Sequence, residues 1–177
     1  LIEVPAKAKE MGFDVVEFSK IAVPEGQTLE KFAALLKEES DKVGIPIANY
    51  TIGADFLRAP GGWKAEVERL KGELKVAKIQ GVPGMRHDAT AGFPVDHKGG
   101  RSFDNAVSTL AQGCRAVTEI AADMGIRTMV ENHGQFCQDS ERVEKLICAV
   151  AHPNFGALID MGNFLCADED PGQAVGR

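Results

Sequence analysis

Short apolar runs recur along the chain at intervals of about 30 to 45 residues, and this cadence restricts the fold more than any other feature. Each run is too short for a helix and is bounded by Gly or Pro, which favours strands that are buried on both faces. Apolar residues with helical spacing lie between the runs, as in residues 63–77 and 103–124. Strands that alternate with helices in this way indicate repeated βα units and a parallel sheet. The five runs are FDVVEF (13–18), IPIANYT (45–51), VPGMRHD (82–88), IRTMVENH (126–133) and FGALIDM (155–161).

Two architectures fit this cadence, an open doubly wound sheet and a closed barrel. A doubly wound dinucleotide-binding sheet carries a Gly-rich turn after an early strand, whereas the turn after the first run reads SKIAVPEG. A (β/α)8 TIM barrel typically needs about 250 residues, and the chain has 177. We therefore expect an α/β fold in which residues 1–177 form a single partial barrel domain, an incomplete fragment that covers about strands 2 to 6 of the barrel. The edges of its sheet should then be uncovered.

Charge and cysteine content exclude several classes of function. The formal net charge of −6 at pH 7 disfavours nucleic acid, because phosphate binding depends on Lys and Arg. No stretch approaches the roughly 18 uninterrupted apolar residues of a membrane span, and the first ten residues lack the basic start and apolar run of a signal peptide. The four cysteines form no CxxC pair, which is typical of a reducing compartment. We expect a cytoplasmic protein that binds neither nucleic acid nor membranes, and a homo-oligomer is compatible with the sequence.

Polar residues follow the apolar runs at the positions where parallel strands end. In a parallel barrel the loops after the strands form the active face, so these positions predict the site. Glu131 and Asp160 end consecutive strands, and neighbouring strands lie about 4.8 Å apart, so the two carboxylates are placed to share one divalent ion. The alternative is that they cap helices or pair with an arginine. Two carboxylates are also too few for a complete catalytic metal site.

Four further side chains at the strand ends are candidates for substrate binding. Arg86 presents a fixed fork of donors that suits a carboxylate, phosphate or hydroxyl group of a substrate, or alternatively an ion pair with Asp88 or a neighbouring acidic strand end. His133, two residues after the first of the two carboxylates, either reaches the substrate or bonds a backbone carbonyl. Asn49 and Asn163 add donors and acceptors. Strand ends with many polar groups and few aromatic ones suit a small hydroxyl-rich ligand.

Three stretches carry a resemblance to a known family: MGIRTMVENHG (124–134), VEKLICAVAHPNFGALIDMGNF (143–164) followed by EDP, and the opening AKEMGFDVVEFS (8–19). They resemble the sugar phosphate isomerase/epimerase family with the xylose isomerase-like TIM barrel. The resemblance implies a metal site with a Glu from the fifth strand and an Asp from the sixth, here Glu131 and Asp160, and with a His and a Glu that would lie beyond Arg177. The sequence departs from the family at Asn163, where many members have a His. It also departs at Cys137, where members that epimerise free ketoses have a second Glu.

The resemblance implies a divalent-metal-dependent isomerase or epimerase of a small sugar or keto-sugar, working through an enediolate-type intermediate. Glu131 would move the proton, and oxygen-rich ligation suits Mn²⁺ best, with Mg²⁺, Co²⁺ or Zn²⁺ as substitutes. The two departures leave a dehydratase or lyase on a keto-sugar or cyclic polyol open. The DNA-repair endonuclease branch of the family is disfavoured by the negative charge. A non-catalytic barrel subunit of a larger complex is the alternative of another class.

Overall fold

Five parallel strands in sequential order form the centre of the computed structural model, which describes residues 1–177 throughout. The strands are β1 (Val16–Ser19), β2 (Ile47–Ile52), β3 (Gly84–His87), β4 (Arg127–Glu131) and β5 (Phe155–Leu158), paired in the order β1-β2-β3-β4-β5. The helices are α1 (Val4–Glu10), α2 (Leu29–Val43), α3 (Gly62–Gln80), α4 (Phe103–Asp123), α5 (Ser140–Val150), α6 (Met161–Leu165) and α7 (Pro171–Val175). None of them combines the length and the apolar character that crossing a membrane requires. The predicted α/β partial barrel is confirmed, and β4 and β5 correspond to the fifth and sixth strands of a full barrel.

Capping residues set where the helices begin and end, and so where each strand starts. The side chains of Thr28, Ser102 and Asp139 each accept a hydrogen bond from a backbone N–H in the first turn of α2, α4 and α5. Gly44 and Gly81 end α2 and α3 in the left-handed conformation, with φ of 67° and 68°, which glycine adopts without steric penalty. The chain then turns directly into β2 and β3.

Side chains alternate between the helix-facing side of the sheet and its concave side. The Tyr50 hydroxyl of β2 donates to Glu73 of α3 at 2.7 Å, and the hydroxyls of Thr128 in β4 and Thr118 in α4 lie 2.7 Å apart. A cluster of 33 buried hydrophobic residues fills the layer between the sheet and the helices. Because side chains alternate with a period of two, residues an odd number of positions from these contacts point to the concave side. Glu131, three positions after Thr128, is one of them.

Large apolar side chains are exposed beside both edge strands. Phe13 and Val15 precede β1, and Ile159 and Met161 follow β5; all four are exposed. The predicted uncovered edges are therefore present. The two edges flank the concave side of the arc.

Candidate active site

The carboxyl ends of β3 and β4 bring four ionisable side chains together. The Arg86 side chain is 7% exposed, its Nε lies 2.6 Å from Oε2 of Glu131, and its Nη2 lies 3.0 Å from Oδ1 of Asp88. The same Asp88 oxygen lies 3.3 Å from Nδ1 of His133. A guanidinium that is withdrawn from water must be paired, so the two carboxylates hold Arg86 in place. In turn, Arg86 fixes Glu131 at the end of its strand.

Strand alternation explains why these side chains meet. Arg86 of β3 and Glu131 of β4 point to the concave side of the sheet, and Asp88 and His133 follow just after the ends of these two strands. His87, next to Arg86, points the other way: it is fully buried, with its ring edge-on to Phe56 at a centroid separation of 5.9 Å. Burial lowers the pKa of His87, and the Asp88 carbonyl, 2.8 Å from Nδ1, only partly opposes this. His87 is therefore a neutral residue of the core.

The contact between Arg86 and Glu131 is an ion pair rather than a directed hydrogen bond. The 2.6 Å separation is short, yet the buried Nε has no acceptor in line with its N–H. Coulombic attraction depends on distance and not on this alignment, so the ion pair stands. Nη1 of the same side chain donates to the carbonyl of Ile52 at 3.4 Å, which gives Arg86 three separate anchors.

The end of β5 adds Asp160 and Asn163 to the site. Oδ1 of Asp160 accepts from the N–H groups of Gly162 at 2.8 Å and Asn163 at 3.3 Å, and so caps α6. The Asn132 side chain bonds both the N–H and the carbonyl of Asp160 at 2.7 Å. Asn163 Nδ2 donates to Oε1 of Glu131 at 3.3 Å. Asn163 therefore links the two carboxylates that the sequence placed on consecutive strands.

Asn49 lies outside this cluster. The residue of β2 opposite Arg86 is Thr51 and not Asn49, which therefore sits one layer deeper in the sheet. Asn49 Nδ2 donates to Glu17 at 3.3 Å, while its buried Oδ1 has no partner. It lines a cavity of about 470 Å³ on the concave side, together with Gly84. Asn49 belongs to the floor of the concavity rather than to its mouth.

Glu131 and Asp160 fit as two ligands of a divalent cation but not as a complete site. Their carboxylate oxygens are of the type that Mn²⁺ and Mg²⁺ prefer. However, no group of three or more His, Cys, Asp and Glu side chains is placed to hold an ion. Both oxygens of Glu131 and one of Asp160 already have partners. In this structure Glu131 is paired with an arginine and Asp160 caps a helix, which are the roles that the sequence offered as alternatives to metal binding.

Two aspartates in the site were not singled out by the sequence. Asp88 was considered only as a partner of Arg86, but it also contacts the imidazole of His133, just after β4. Asp55, after β2, accepts from the Thr90 hydroxyl at 2.7 Å and from the Ala91 N–H at 3.1 Å. It thereby fixes the start of the loop at 89–101 beside the site. The two-residue spacing from Arg86 could have identified Asp88, whereas nothing in the sequence points from Asp55 to a loop 35 residues away.

Cys137 takes no part in proton transfer. It lies six positions after Glu131 and is buried. Burial raises the pKa of the Cys137 thiol to about 12, so the thiol stays protonated at neutral pH. It cannot replace the second Glu that ketose epimerases of the resembling family carry there.

The parallel strand order and the polar cluster at the carboxyl ends of the strands define a (β/α) barrel with its working face at that end. The profile of the xylose isomerase-like TIM barrel matches residues 5–176, and the chain belongs to that family. The resemblance found in the sequence is thereby confirmed. A comparison with curated proteins gives no match.

Solved structures of similar fold include epimerases and a dehydratase. The probable 3-DHS dehydratase AsbF of Bacillus anthracis is 17% identical, with a TM-score of 0.74 over 98% of this chain and 62% of its own. The 3-keto-D-glucoside 4-epimerase YcjR of E. coli is 17% identical, with a TM-score of 0.78 over 99% and 68%. D-psicose 3-epimerase of Clostridium cellulolyticum H10 is 16% identical, with a TM-score of 0.79 over 99% and 63%. The chain thus spans somewhat under two thirds of the first and third structures, and at these identities the likeness shows the fold alone.

Proposed function

We propose that the chain is the part of a sugar isomerase or epimerase that carries the proton-transfer group, acting on a small sugar or keto-sugar through an enediolate-type intermediate. The observation that supports this most directly is the meeting of Glu131, Arg86 and His133 at the carboxyl ends of adjacent strands. A carboxylate beside fixed donors is what proton transfer next to a carbonyl requires. Epimerases among the solved structures of the same fold agree with the proposal.

Glu131 is the residue to which we assign proton transfer. Its side chain is 15% exposed, and Arg86 and Asn163 contact its two oxygens, so the carboxylate is held in one orientation at the mouth of the concavity. A group held in this way can take a proton from one carbon and return it to the neighbouring carbon, or to the other face of the same carbon. Both products have the composition of the substrate.

Arg86, His133 and Asn163 are assigned to the substrate oxygens, and Asn49 to the deeper end of the ligand. Guanidinium, imidazole and amide groups together pair the many hydroxyls of a small sugar, each of which needs a partner once buried. A divalent cation, most suitably Mn²⁺ with Mg²⁺, Co²⁺ or Zn²⁺ as substitutes, would be held in part by Glu131 and Asp160 and would polarise the substrate carbonyl. Its remaining ligands would come from outside residues 1–177.

A dehydratase acting on a keto-sugar or cyclic polyol is the second candidate, and the pair of His133 and Asp88 favours it. The His133 side chain is 55% exposed, and Nδ1 lies 3.3 Å from Asp88, so Nε2 is free to face a ligand. Elimination of water needs one group to take the carbon-bound proton and another to protonate the departing hydroxyl. Glu131, the last residue of β4, and His133, two residues later, can divide these tasks.

A substrate panel tests the proposal on the full-length protein. We expect turnover of at least one member of a set of ketoses, sugar phosphates, inososes and hydroxypyruvate in the presence of Mn²⁺, with loss on chelation and recovery on adding Mn²⁺ back. Mass spectrometry separates the candidates, because an isomerase conserves the substrate mass and a dehydratase removes one water. Arg86→Ala should weaken turnover, whereas Arg69→Ala, which breaks a more exposed ion pair on α3, should not. A protein silent on the whole panel but active on abasic DNA would refute the proposal.

A further inference from the structure

The guanidinium of Arg86 occupies the electrostatic position that a cation would take beside Glu131. Nε lies 2.6 Å from Oε2 of Glu131, which is the distance of a close ion pair. The side chain is almost fully buried, so little water weakens the attraction. A divalent ion that binds Glu131 would meet this positive charge within the same site.

The remaining contacts of Arg86 allow it to release Glu131 without becoming unpaired. Nη2 lies 3.0 Å from Asp88, and Nη1 donates to the Ile52 carbonyl. Release of Glu131 therefore leaves the guanidinium paired with one carboxylate and one carbonyl.

We propose that Arg86 is the resident counter-ion of Glu131, and that a divalent cation must displace it from Oε2 in order to bind. Arg86 holds the carboxylate in place in the metal-free protein and lowers the affinity of the site for metal. After displacement, its guanidinium stays on Asp88 and Ile52, next to the substrate. This inference rests on the proposed function, in which Glu131 is a metal ligand, and it adds a competition between two cations for one oxygen.

Metal binding to the full-length protein tests the competition without an assay of activity. Mn²⁺ affinity is measured by electron paramagnetic resonance on the wild type, Arg86→Met and Arg86→Lys. Removal of a unit positive charge this close to a ligand oxygen should tighten Mn²⁺ binding about tenfold or more in Arg86→Met. Arg86→Lys keeps the charge and should stay near the wild type. The matched control is Arg69→Met, whose arginine pairs with Glu66 at 2.7 Å on α3, and it should bind as the wild type does.

Arg86→Met that binds Mn²⁺ equally or more weakly than the wild type would overturn the inference. The substrate panel is measured separately. If the wild type is a metal-dependent isomerase but Arg86→Met has the same Mn²⁺ affinity, the proposed function stands and only the competition between Arg86 and the metal is refuted. A second measurement needs no stable Met variant. In the wild type, the side-chain Nε–H resonance of Arg86, assigned with Arg86→Lys, should shift as Mg²⁺ is added. If this resonance does not shift while Mg²⁺ binds, Arg86 is not displaced from Glu131 and the inference is refuted.

Discussion

Asp160 caps α6 and, in the proposed function, also binds the cation, and two substitutions separate these roles. Asp160→Asn keeps an oxygen that can accept from the N–H groups of Gly162 and Asn163, whereas Asp160→Ala removes it. We expect both variants of the full-length protein to lose Mn²⁺ binding. Only the Ala variant should lose about 1 kcal/mol of unfolding free energy, the typical effect of a lost N-cap. Urea unfolding and elemental analysis measure the two effects, and full metal retention in Asp160→Asn would remove Asp160 from the ligands.

His87 makes the stability of the protein depend on pH. Burial lowers the pKa of His87 in the folded state, while the unfolded chain titrates near the ordinary value of about 6.5. Above that pH both states are neutral. As the pH falls below it, the unfolded state takes up a proton first, so the unfolding free energy falls by at most about 1.4 kcal/mol per pH unit until the folded state also titrates.

The variant His87→Leu should therefore show a smaller loss of stability between pH 7.5 and pH 5 than the wild type. The experiment compares urea unfolding of the two proteins at both ends of this range. Leucine keeps an apolar contact with Phe56 but cannot bond the Asp88 carbonyl, so the absolute stability is lower and the difference between the two pH values is the readout. An equal pH difference in both proteins would show that His87 is not the group responsible.

Two glycines inside helices differ in what surrounds them. A Cβ on Gly113 of α4 would lie 2.4 Å from the buried ring of Phe56, whereas a Cβ on Gly72 of α3 would meet nothing within 4 Å. Alanine is favoured over glycine in a helix interior by about 1 kcal/mol. Gly72→Ala should therefore raise the unfolding free energy by about that amount, and Gly113→Ala should lower it by about 1–3 kcal/mol through overpacking. Thermal unfolding of the pair tests this, and stabilisation by both would contradict the close packing of α4 against Phe56.

The elements themselves were largely predictable because each strand is a short apolar run between glycines or prolines. The observed strands are shorter than those runs: the run at 13–18 corresponds to the four-residue strand Val16–Ser19, which ends one residue later, and the run at 155–161 to Phe155–Leu158. The polar residues at the ends leave the sheet to bond side chains and helix termini. The short helix Met161–Leu165 was not predicted as an element, although helix capping was the alternative role considered for Asp160.

The location of the site at the strand ends could be predicted from the sequence, but the contacts between its side chains could not. Strand alternation indicates that Arg86 and His87 point to opposite sides, and the structure places them so. The pairing of Arg86 with Glu131 depends on how two side chains from different strands orient across the sheet. Spacing along the chain carries no information on that orientation, so the sequence left both an ion pair and a metal-ligand role open for Glu131.

At the scale of the whole molecule, the arc places its polar cluster at one end of the sheet and its exposed apolar residues along the edges. The members of the polar cluster come from three consecutive strand ends, β3 to β5. No single βα unit contains them all. The proposed chemistry is therefore a property of the assembled sheet, and it depends most on Glu131 because that side chain contacts residues from both neighbouring units.

Exchange of carbon-bound hydrogen with solvent is the most direct test of proton transfer by Glu131. The full-length protein is incubated with Mn²⁺ and the ketose panel in D₂O, and deuterium next to the carbonyl is followed by NMR for the wild type and Glu131→Gln. We expect that the wild type incorporates deuterium into at least one sugar and that folded Glu131→Gln does so at least about 100-fold more slowly, the usual contribution of a proton-transfer group. Equal incorporation by the two proteins, or none by the wild type with any sugar, would contradict it.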